Sequence, residues 1–293
     1  MKILYVTSAA GIDYQCDLLF HGLVGLGHDV VDSKYMWYMS KDANSEALSK
    51  MWGRGFTVGR TLGDRGHLDR SNIPDRISSK EFDLIIYGSI RRCSDFIDIV
   101  SQKYRRDEVC IVDGEDDTKI DLRYTDYGAY FKRELSEPWK AFPIQFGIPM
   151  EKFRKISTCK NRVMSRVMPR GASEKYIYSN EEEYYQDYSE SLFGLTKKKG
   201  GWDCLRHYEI IAAGAIPYFW GFEKCPSSMM TRWPWSLQAE ANYLQDRIRS
   251  LDQVSGRLGE HYWSLLEEFR SYAMQNLTTL SIAKHVLGIM GRS

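Results

Sequence analysis

Apolar and polar positions along this chain fall into blocks whose period changes. Residues 2–7 are a short apolar run that ends in Ser8-Ala9-Ala10-Gly11. Residues 14–26 follow with Leu18, Leu19, Gly22 and Leu23 at helical spacing, closed by Gly25-Leu26-Gly27-His28. Asp29-Val30-Val31-Asp32 is the next strand. Such a β-α-β opening predicts a doubly wound α/β sheet. The loop after the first strand lacks Gly-x-Gly-x-x-Gly, so the opening is no dinucleotide fingerprint. Residues 33–80 are less regular. Phe82-Asp83-Leu84-Ile85-Ile86-Tyr87-Gly88 and Val109-Cys110-Ile111-Val112-Asp113-Gly114 read as buried strands, with a further short one at 127–132. Strands that run into polar turns place candidate chemistry on the carboxyl rim of a sheet, here Arg91, Arg92 and residues 113–117.

Pro138, Pro143, Gly147 and Pro149 interrupt regular structure and predict a crossover between two halves at residues 138–150. Beyond it the pattern gives a short run at 175–178, an acidic helix at 180–188, a strand at 191–196, a helix at 202–213 and a strand at 215–219. Helical patterns at 236–250 and 256–275 close the chain.

Length and composition fit a soluble globular protein of two modest domains or one large one: 293 residues, 43% hydrophobic and 27% charged. A formal net charge of +1 gives no global pull toward nucleic acid or membrane. The six cysteines contain no Cys-x-x-Cys pair, which argues against a zinc site and a disulfide framework and for a reducing, cytoplasmic setting. The first residues turn polar too soon for a signal peptide. No apolar run approaches the roughly 20 residues that span a bilayer.

The densest chemical signal is the stretch Lys197-Lys198-Lys199-Gly200-Gly201-Trp202-Asp203-Cys204-Leu205-Arg206-His207-Tyr208-Glu209, running into Ile210-Ile211-Ala212-Ala213-Gly214-Ala215-Ile216-Pro217. It reads as a basic loop, a glycine pair, a helix start and a buried strand. Two glycines let a ligand approach the backbone, and a helix N-terminus offers N–H groups and the positive end of a dipole. Arg206 can fork onto a phosphate. One of Lys197, Lys198 and Lys199 can neutralise a diphosphate, or all three can be a solvated charge run. Glu209, a turn later, can hold ribose hydroxyls. His207 either bonds a phosphate or caps local polar groups. A nucleotide or nucleotide-sugar is the guest these parts suit.

The same residues resemble the donor-site segment of GT-B glycosyltransferases, in particular the exostosin-like and spore-coat-like groups. The shared features are Arg-x-x-Glu (Arg206 and Glu209) followed by Ala-Ala-Gly-Ala-Ile-Pro, over residues 190–220. The resemblance implies two Rossmann-like domains facing across a cleft, the GT-B architecture. It implies an acceptor domain at 1–140, a donor domain at 141–293 and closing helices that return to the first domain. It implies transfer of a hexosyl or pentosyl group from a nucleotide-sugar donor, UDP- or GDP-linked, to a hydroxyl acceptor without a metal. Glu209 would hold the ribose, Arg206 and Lys197 or Lys199 the diphosphate, and Gly200 and Gly201 would permit the close approach. The commonest form of the pattern has a second Glu eight residues before the ribose Glu. That position is Gly201 here, and Asp203 is the nearest acid.

The acceptor side is less marked. Asp13, on the loop after the first strand, and Asp116 are the candidates for a base or an acceptor contact. Asp113-Gly114-Glu115-Asp116-Asp117 is otherwise a solvated turn, or, behind both of these readings, a magnesium or manganese site, which would make the chain a metal-dependent nucleotidyl or phosphoryl transferase. The gap at Gly201 suits a third reading, a non-catalytic nucleotide- or glycan-binding module. Residues 152–170 hold Lys152, Arg154, Lys155, Lys160, Arg162, Arg166 and Arg170 against almost no acids. This stretch is either a solvated face or a surface for an anionic glycan, a donor diphosphate or DNA, so a DNA acceptor stays open.

Overall fold

The computed structural model describes residues 1–167 and 177–292. Arg170 and the start of the run expected at 175–178 lie outside them; Ile177 and Tyr178 are not in a strand. The first sheet is built from β1 (Lys2–Val6), β2 (Asp29–Asp32), β3 (Leu84–Tyr87), β4 (Val109–Asp113), β5 (Ala129–Lys132) and β6 (Phe142–Pro143). Its order is β2-β1-β3-β4-β5-β6, and every neighbour pairs in parallel. A parallel sheet is covered on both faces, which is why β3 and β4 are apolar without alternation and buried throughout.

The helices of this half are α1 (Tyr14–Gly25), α2 (Ser45–Ser49), α3 (Ile73–Ser78) and α4 (Ile97–Lys103). α1 starts where Asp13 accepts a hydrogen bond from the Cys16 N–H. The segment 33–80, irregular in sequence, contains two of these short helices and a loop wound with left-handed residues at Arg54, Thr57 and Arg60.

The second sheet among the described residues has β7 (Arg162–Met164), β8 (Ser191–Lys197) and β9 (Ile216–Trp220), parallel in that order. Around it lie α5 (Glu181–Ser189), α6 (Leu205–Ala212), α7 (Trp235–Gln245) and α8 (Gly256–Asn276), followed by α9 (Thr279–Ile289). α6 begins at Leu205, not at Trp202, so Trp202 and Asp203 belong to the loop before it. α9 falls after the last helix that the apolar pattern marks.

α9 ties the two halves together. It packs on α1, where His21 Nδ1 and Thr279 Oγ1 are 2.9 Å apart, and the backbone of Thr279 donates to the Ile148 carbonyl at 3.0 Å. One hydrophobic cluster therefore runs from Ile3 and Tyr5 on the α1 face of the first sheet, through Ile282 and Val286, to Phe193 and Ile210 around the second. Leu4, Val6, Ile85 and Tyr87 form a separate cluster on the opposite face.

The α1–α9 contact depends on Gly22. A Cβ there would overlap the Thr279 carbonyl and meet Ala283 Cβ at 3.0 Å. Gly22→Ala should destabilise the protein by about 1–3 kcal/mol through overpacking. Gly11→Ala, with nothing within 4 Å of the new methyl, should leave the melting point unchanged. Thermal unfolding of the two variants beside the wild type checks this contact, and equal melting points would refute it.

Candidate active site

The carboxyl ends of both sheets meet at the loop 198–204. β8 lies between β7 and β9, and its carboxyl end, Lys197, runs directly into this loop. From the first sheet come the turn after β4 and the residues that follow β5. Arg133, 2% exposed, is the hub. Its Nε donates to the Gly114 carbonyl at 3.0 Å, and its Nη1 to the Asp203 carbonyl at 2.5 Å. Nη1 also pairs with Glu134 at 3.0 Å, and Nη2 with Asp116. The guanidinium carbon lies 4.6 Å from the centre of the Phe146 ring.

Glu134, 1% exposed, accepts from the backbone N–H groups of Trp202 at 2.9 Å and Asp203 at 3.0 Å. These are the donors that the glycine loop was expected to offer a ligand. A Cβ at Gly201 would overlap the Glu134 carboxylate, and one at Gly200 would overlap that of Asp116. Close approach does explain both glycines, but the groups that approach are carboxylates of the first half. Sequence reasoning missed Arg133 and Glu134 because they lie in an unremarkable stretch after β5. One signal was available: position 201 lacks the Glu of the commonest pattern, and Glu134 brings a carboxylate to the same place.

Two residues expected at the ligand face inward instead. Asp203, 2% exposed, accepts from the Phe146 N–H and the Tyr208 hydroxyl, both at 2.7 Å. Burial pushes its carboxyl up to about 6 against the pull of Arg133. His207 is fully buried, with Nδ1 2.8 Å from Thr196 Oγ1 and Nε2 2.9 Å from the Trp202 carbonyl. Only a donor can face a carbonyl, so the proton sits on Nε2 and Nδ1 accepts from the threonine. Its ring stacks on Phe219 at 4.3 Å, and burial lowers its pKa to about 3. His207 is a neutral core histidine that leaves no nitrogen for a phosphate.

Glu209 is 6% exposed, and each of its oxygens receives a hydroxyl, Thr57 on one and Tyr184 on the other, both at 2.5 Å. Burial raises its pKa. Thr57 comes from the left-handed loop of the first half with φ 72°, a backbone conformation strained for a β-branched residue. Its hydroxyl also lies 3.0 Å from that of Tyr185, and its N–H donates to Glu181 at 2.6 Å. A ribose diol reaching Glu209 competes with Thr57 for it. Arg206, half-buried on the same helix, acts electrostatically on Glu209, Tyr184 and Tyr188. Lys197 Nζ lies 5.9 Å from the Trp220 ring centre and Lys198 Nζ 5.4 Å from that of Trp202. Lys199 is exposed, and its N–H donates to the Gly201 carbonyl at 3.1 Å.

The acidic turn is divided among cations. Asp113 bonds Lys132 and Tyr130 and pairs with Arg91, at 2.9, 2.7 and 2.9 Å. Asp117 pairs with Arg91 at 2.6 Å and Glu115 with Arg92 at 2.9 Å. Asp116 pairs with Arg133. Asp13 caps α1 and pairs with Arg92 at 3.2 Å. Among the described residues no three His, Cys, Asp or Glu side chains converge to hold a metal ion. The basic stretch is spent in a similar way. Lys152 pairs with Glu181, Arg154 with Glu182, and Arg162 with Asp187 and Glu190, all on or at the end of α5. Lys160 donates to the carbonyls of Ser189 and Gly214. For these four residues the charge serves an internal contact, not an open surface for a polyanion.

No protein-family model matches the chain, and no match was found among curated proteins. Among solved structures it is similar to an alpha-glucosyltransferase in complex with UDP and a 13-mer DNA containing a central A:G mismatch. The TM-score is 0.52 at 11% identity, over 99% of this chain and 100% of that one. A structure of an alpha-glucosyltransferase with UDP and a 13-mer DNA containing a HMU base aligns over 99% of both chains with a TM-score of 0.47 and 10% identity. The first likeness establishes the fold as α/β of the GT-B type.

Asp203 and His207 act oppositely on acid stability. The Asp203 carboxyl titrates at about 6 in the fold against 3.8 ordinarily, so in that window the folded chain keeps a proton the unfolded chain has lost, and stability falls as pH rises. His207 titrates at about 3 against 6.5, so there the unfolded chain holds the extra proton, and stability falls as pH drops. Between about pH 4 and 6 the two oppose each other. His207→Gln should tilt the stability curve toward acid by about 1.4 kcal/mol per pH unit, and Asp203→Asn should tilt it the other way by a similar amount. Urea unfolding across that window checks both, and curves parallel to the wild type would refute the placement of these groups.

Proposed function

We propose that the chain is a glycosyltransferase that moves a hexose from a UDP-sugar to a hydroxyl acceptor without a metal. The observation that carries this reading is the meeting of both sheets' carboxyl ends at the loop 198–204, with Arg206 and Glu209 on the helix that follows. The likeness to an enzyme solved with UDP and DNA agrees with it. Residues 1–140 serve the acceptor and 141–293 the donor, with α9 returning to α1 as the strap between them.

In this reading Arg206, with Lys197 or Lys199, offsets the charge that develops on the leaving diphosphate. Side chains and the N-terminus of α6 supply what a metal would supply elsewhere. Glu209 takes the ribose hydroxyls in place of the Thr57 hydroxyl. Asp13 and Asp116 stand on the acceptor side, each paired with an arginine. The acceptor hydroxyl is carried by a glycan or by DNA. A cavity of about 360 Å³ on the rim of the first sheet is lined in part by Arg91, Arg92, Lys119, Arg123 and Asp121; its three arginines already pair with acids of the same rim, so an acceptor that bears phosphates would compete with those acids for them. Six unpaired cysteines, three of them buried, support a reducing compartment, the cytoplasm. No helix among the described residues is long and apolar enough to cross a membrane.

The test is binding and turnover with UDP-glucose, with and without EDTA. UDP-glucose should raise the melting point by mass action, and EDTA should not reduce the shift. Arg206→Ala and Glu209→Gln should each weaken binding by about tenfold or more while the far-UV spectrum stays unchanged. Normal affinity in both variants would overturn the donor site. Binding without any sugar transfer or donor hydrolysis would make the chain a binding module. Loss of turnover in EDTA would move the chemistry to the acids of residues 113–117.

A lysine and an arginine of the rim cavity test the acceptor. Replacing Lys119 and Arg123 together by Ala should weaken duplex DNA binding uniformly across sequences and lower the salt slope by about 2. Filter binding over a salt series reads it, and an unchanged slope would exclude this cavity from DNA contact.

A further inference from the structure

The strand order β2-β1-β3-β4-β5 puts a topological switch point between β1 and β3. At such a point the connections leave for opposite faces of the sheet, and a crevice opens at the carboxyl ends of the strands. α1, a helix of 12 residues, starts there. In its first turn stands Gln15, 2% exposed, and among the described residues neither its amide nitrogen nor its amide oxygen has a hydrogen-bond partner. Each unmet buried group of this kind costs about 1–3 kcal/mol, so the amide calls for a partner that arrives later.

Gln15 is pinned in place by the loop after β4. A Cβ on Gly114 would lie 2.5 Å from Gln15 Cβ, so the glycine exists to admit this side chain. The Gly114 carbonyl accepts from Arg133, which also holds the Asp203 carbonyl of the donor loop. The orphan amide is therefore one residue away from the bridge that joins the two halves. Asp13, the cap of α1, lies on the same side, with its Oδ1 4.0 Å from that Cβ position.

We propose that Gln15 is a donor-sugar contact: its amide binds a hydroxyl of the hexose that is transferred. The proposal rests on the donor reading above and goes beyond it by assigning a residue of the first half to the sugar. An amide offers donors and an acceptor side by side, and a hydroxyl uses one of each. A phosphate would leave the amide carbonyl unmet. The enclosure of the amide selects between donor and acceptor. A polymeric acceptor cannot wrap a group that lies inside the protein, whereas a monosaccharide is small enough to be enclosed there.

The experiment uses the full chain, UDP and UDP-glucose as probes, and the variants Gln15→Met and Gln15→Leu. Without ligand both variants should melt no lower than the wild type, and up to several degrees higher, because no hydrogen bond is lost and an unmet amide is removed. By titration calorimetry both should bind UDP as the wild type does and bind UDP-glucose roughly tenfold more weakly. UDP-glucose affinity equal to the wild type in both variants would overturn the proposal. A fall of more than about 4 °C in both empty variants would also overturn it, since it would mean that the amide is satisfied inside the fold. A wild type that binds no UDP-glucose sinks the donor reading, and the Gln15 assignment with it. A wild type that binds while the variants match it sinks the Gln15 assignment alone.

Discussion

The interior ion cluster around Arg133 is the constraint on which the rest of the site depends. One guanidinium, almost wholly out of water, holds the turn after β4, the loop before α6 and two carboxylates at once. A buried arginine is tolerable only when its charge and its donors are all met, and removing a partner from such a cluster typically costs about 3–5 kcal/mol. The geometry of the loop 198–204 is thus fixed by the first half of the chain. Glu134 completes the fixation by taking the two backbone N–H groups at Trp202 and Asp203. A ligand meets a loop already shaped, and that preorganisation is what a site needs to act on charge developing in a transition state.

A second bridge crosses the same divide. Thr57, strained at φ 72°, places its hydroxyl on Glu209, which belongs to α6. The first half therefore touches α6 at its approach, through Glu134, and at its acid one turn in, Glu209, through Thr57. α9 adds a third, apolar tie through Gly22 of α1. Together these contacts make the closed arrangement of the halves a property of specific polar pairs laid over a shared hydrophobic cluster. The polar pairs set position, and the apolar cluster supplies most of the favourable free energy.

The polar residues that look most chemical in a linear reading are sorted by burial into two groups. Asp203 and His207 go inward, where a carboxylate and an imidazole are held by a tyrosine, a threonine and backbone groups. Lys199 is exposed, Lys197 is half-buried at the end of β8, and Arg206 is half-buried on α6 beside Glu209. The acids of residues 113–117 are each engaged by an arginine or lysine, which explains why so many carboxylates sit in one turn without gathering around a common point. The basic residues of the stretch from 152 meet the acids of α5 for the same electrostatic reason.

The sequence by itself marked the parallel strands, because strands buried on both faces are continuously apolar, as in Leu84–Tyr87 and residues 109–112. It also determined α1, α5, β8 and β9 and the extent of α8 to within a residue or two, since apolar periodicity and caps are local signals. It marked the stretch from Lys197 to Glu209 as special. The tertiary structure alone decided what makes it so. Glycine at 200 and 201 reports only that something comes close, and the identity of that neighbour, Asp116 and Glu134, is a contact across more than sixty residues of chain. Whether His207 faces a ligand or the core depends on the sheet and ring packed against it, which no local window contains. Gln15 reads as an ordinary helical glutamine until burial removes water from its amide, and only the fold shows that no group among the described residues replaces it.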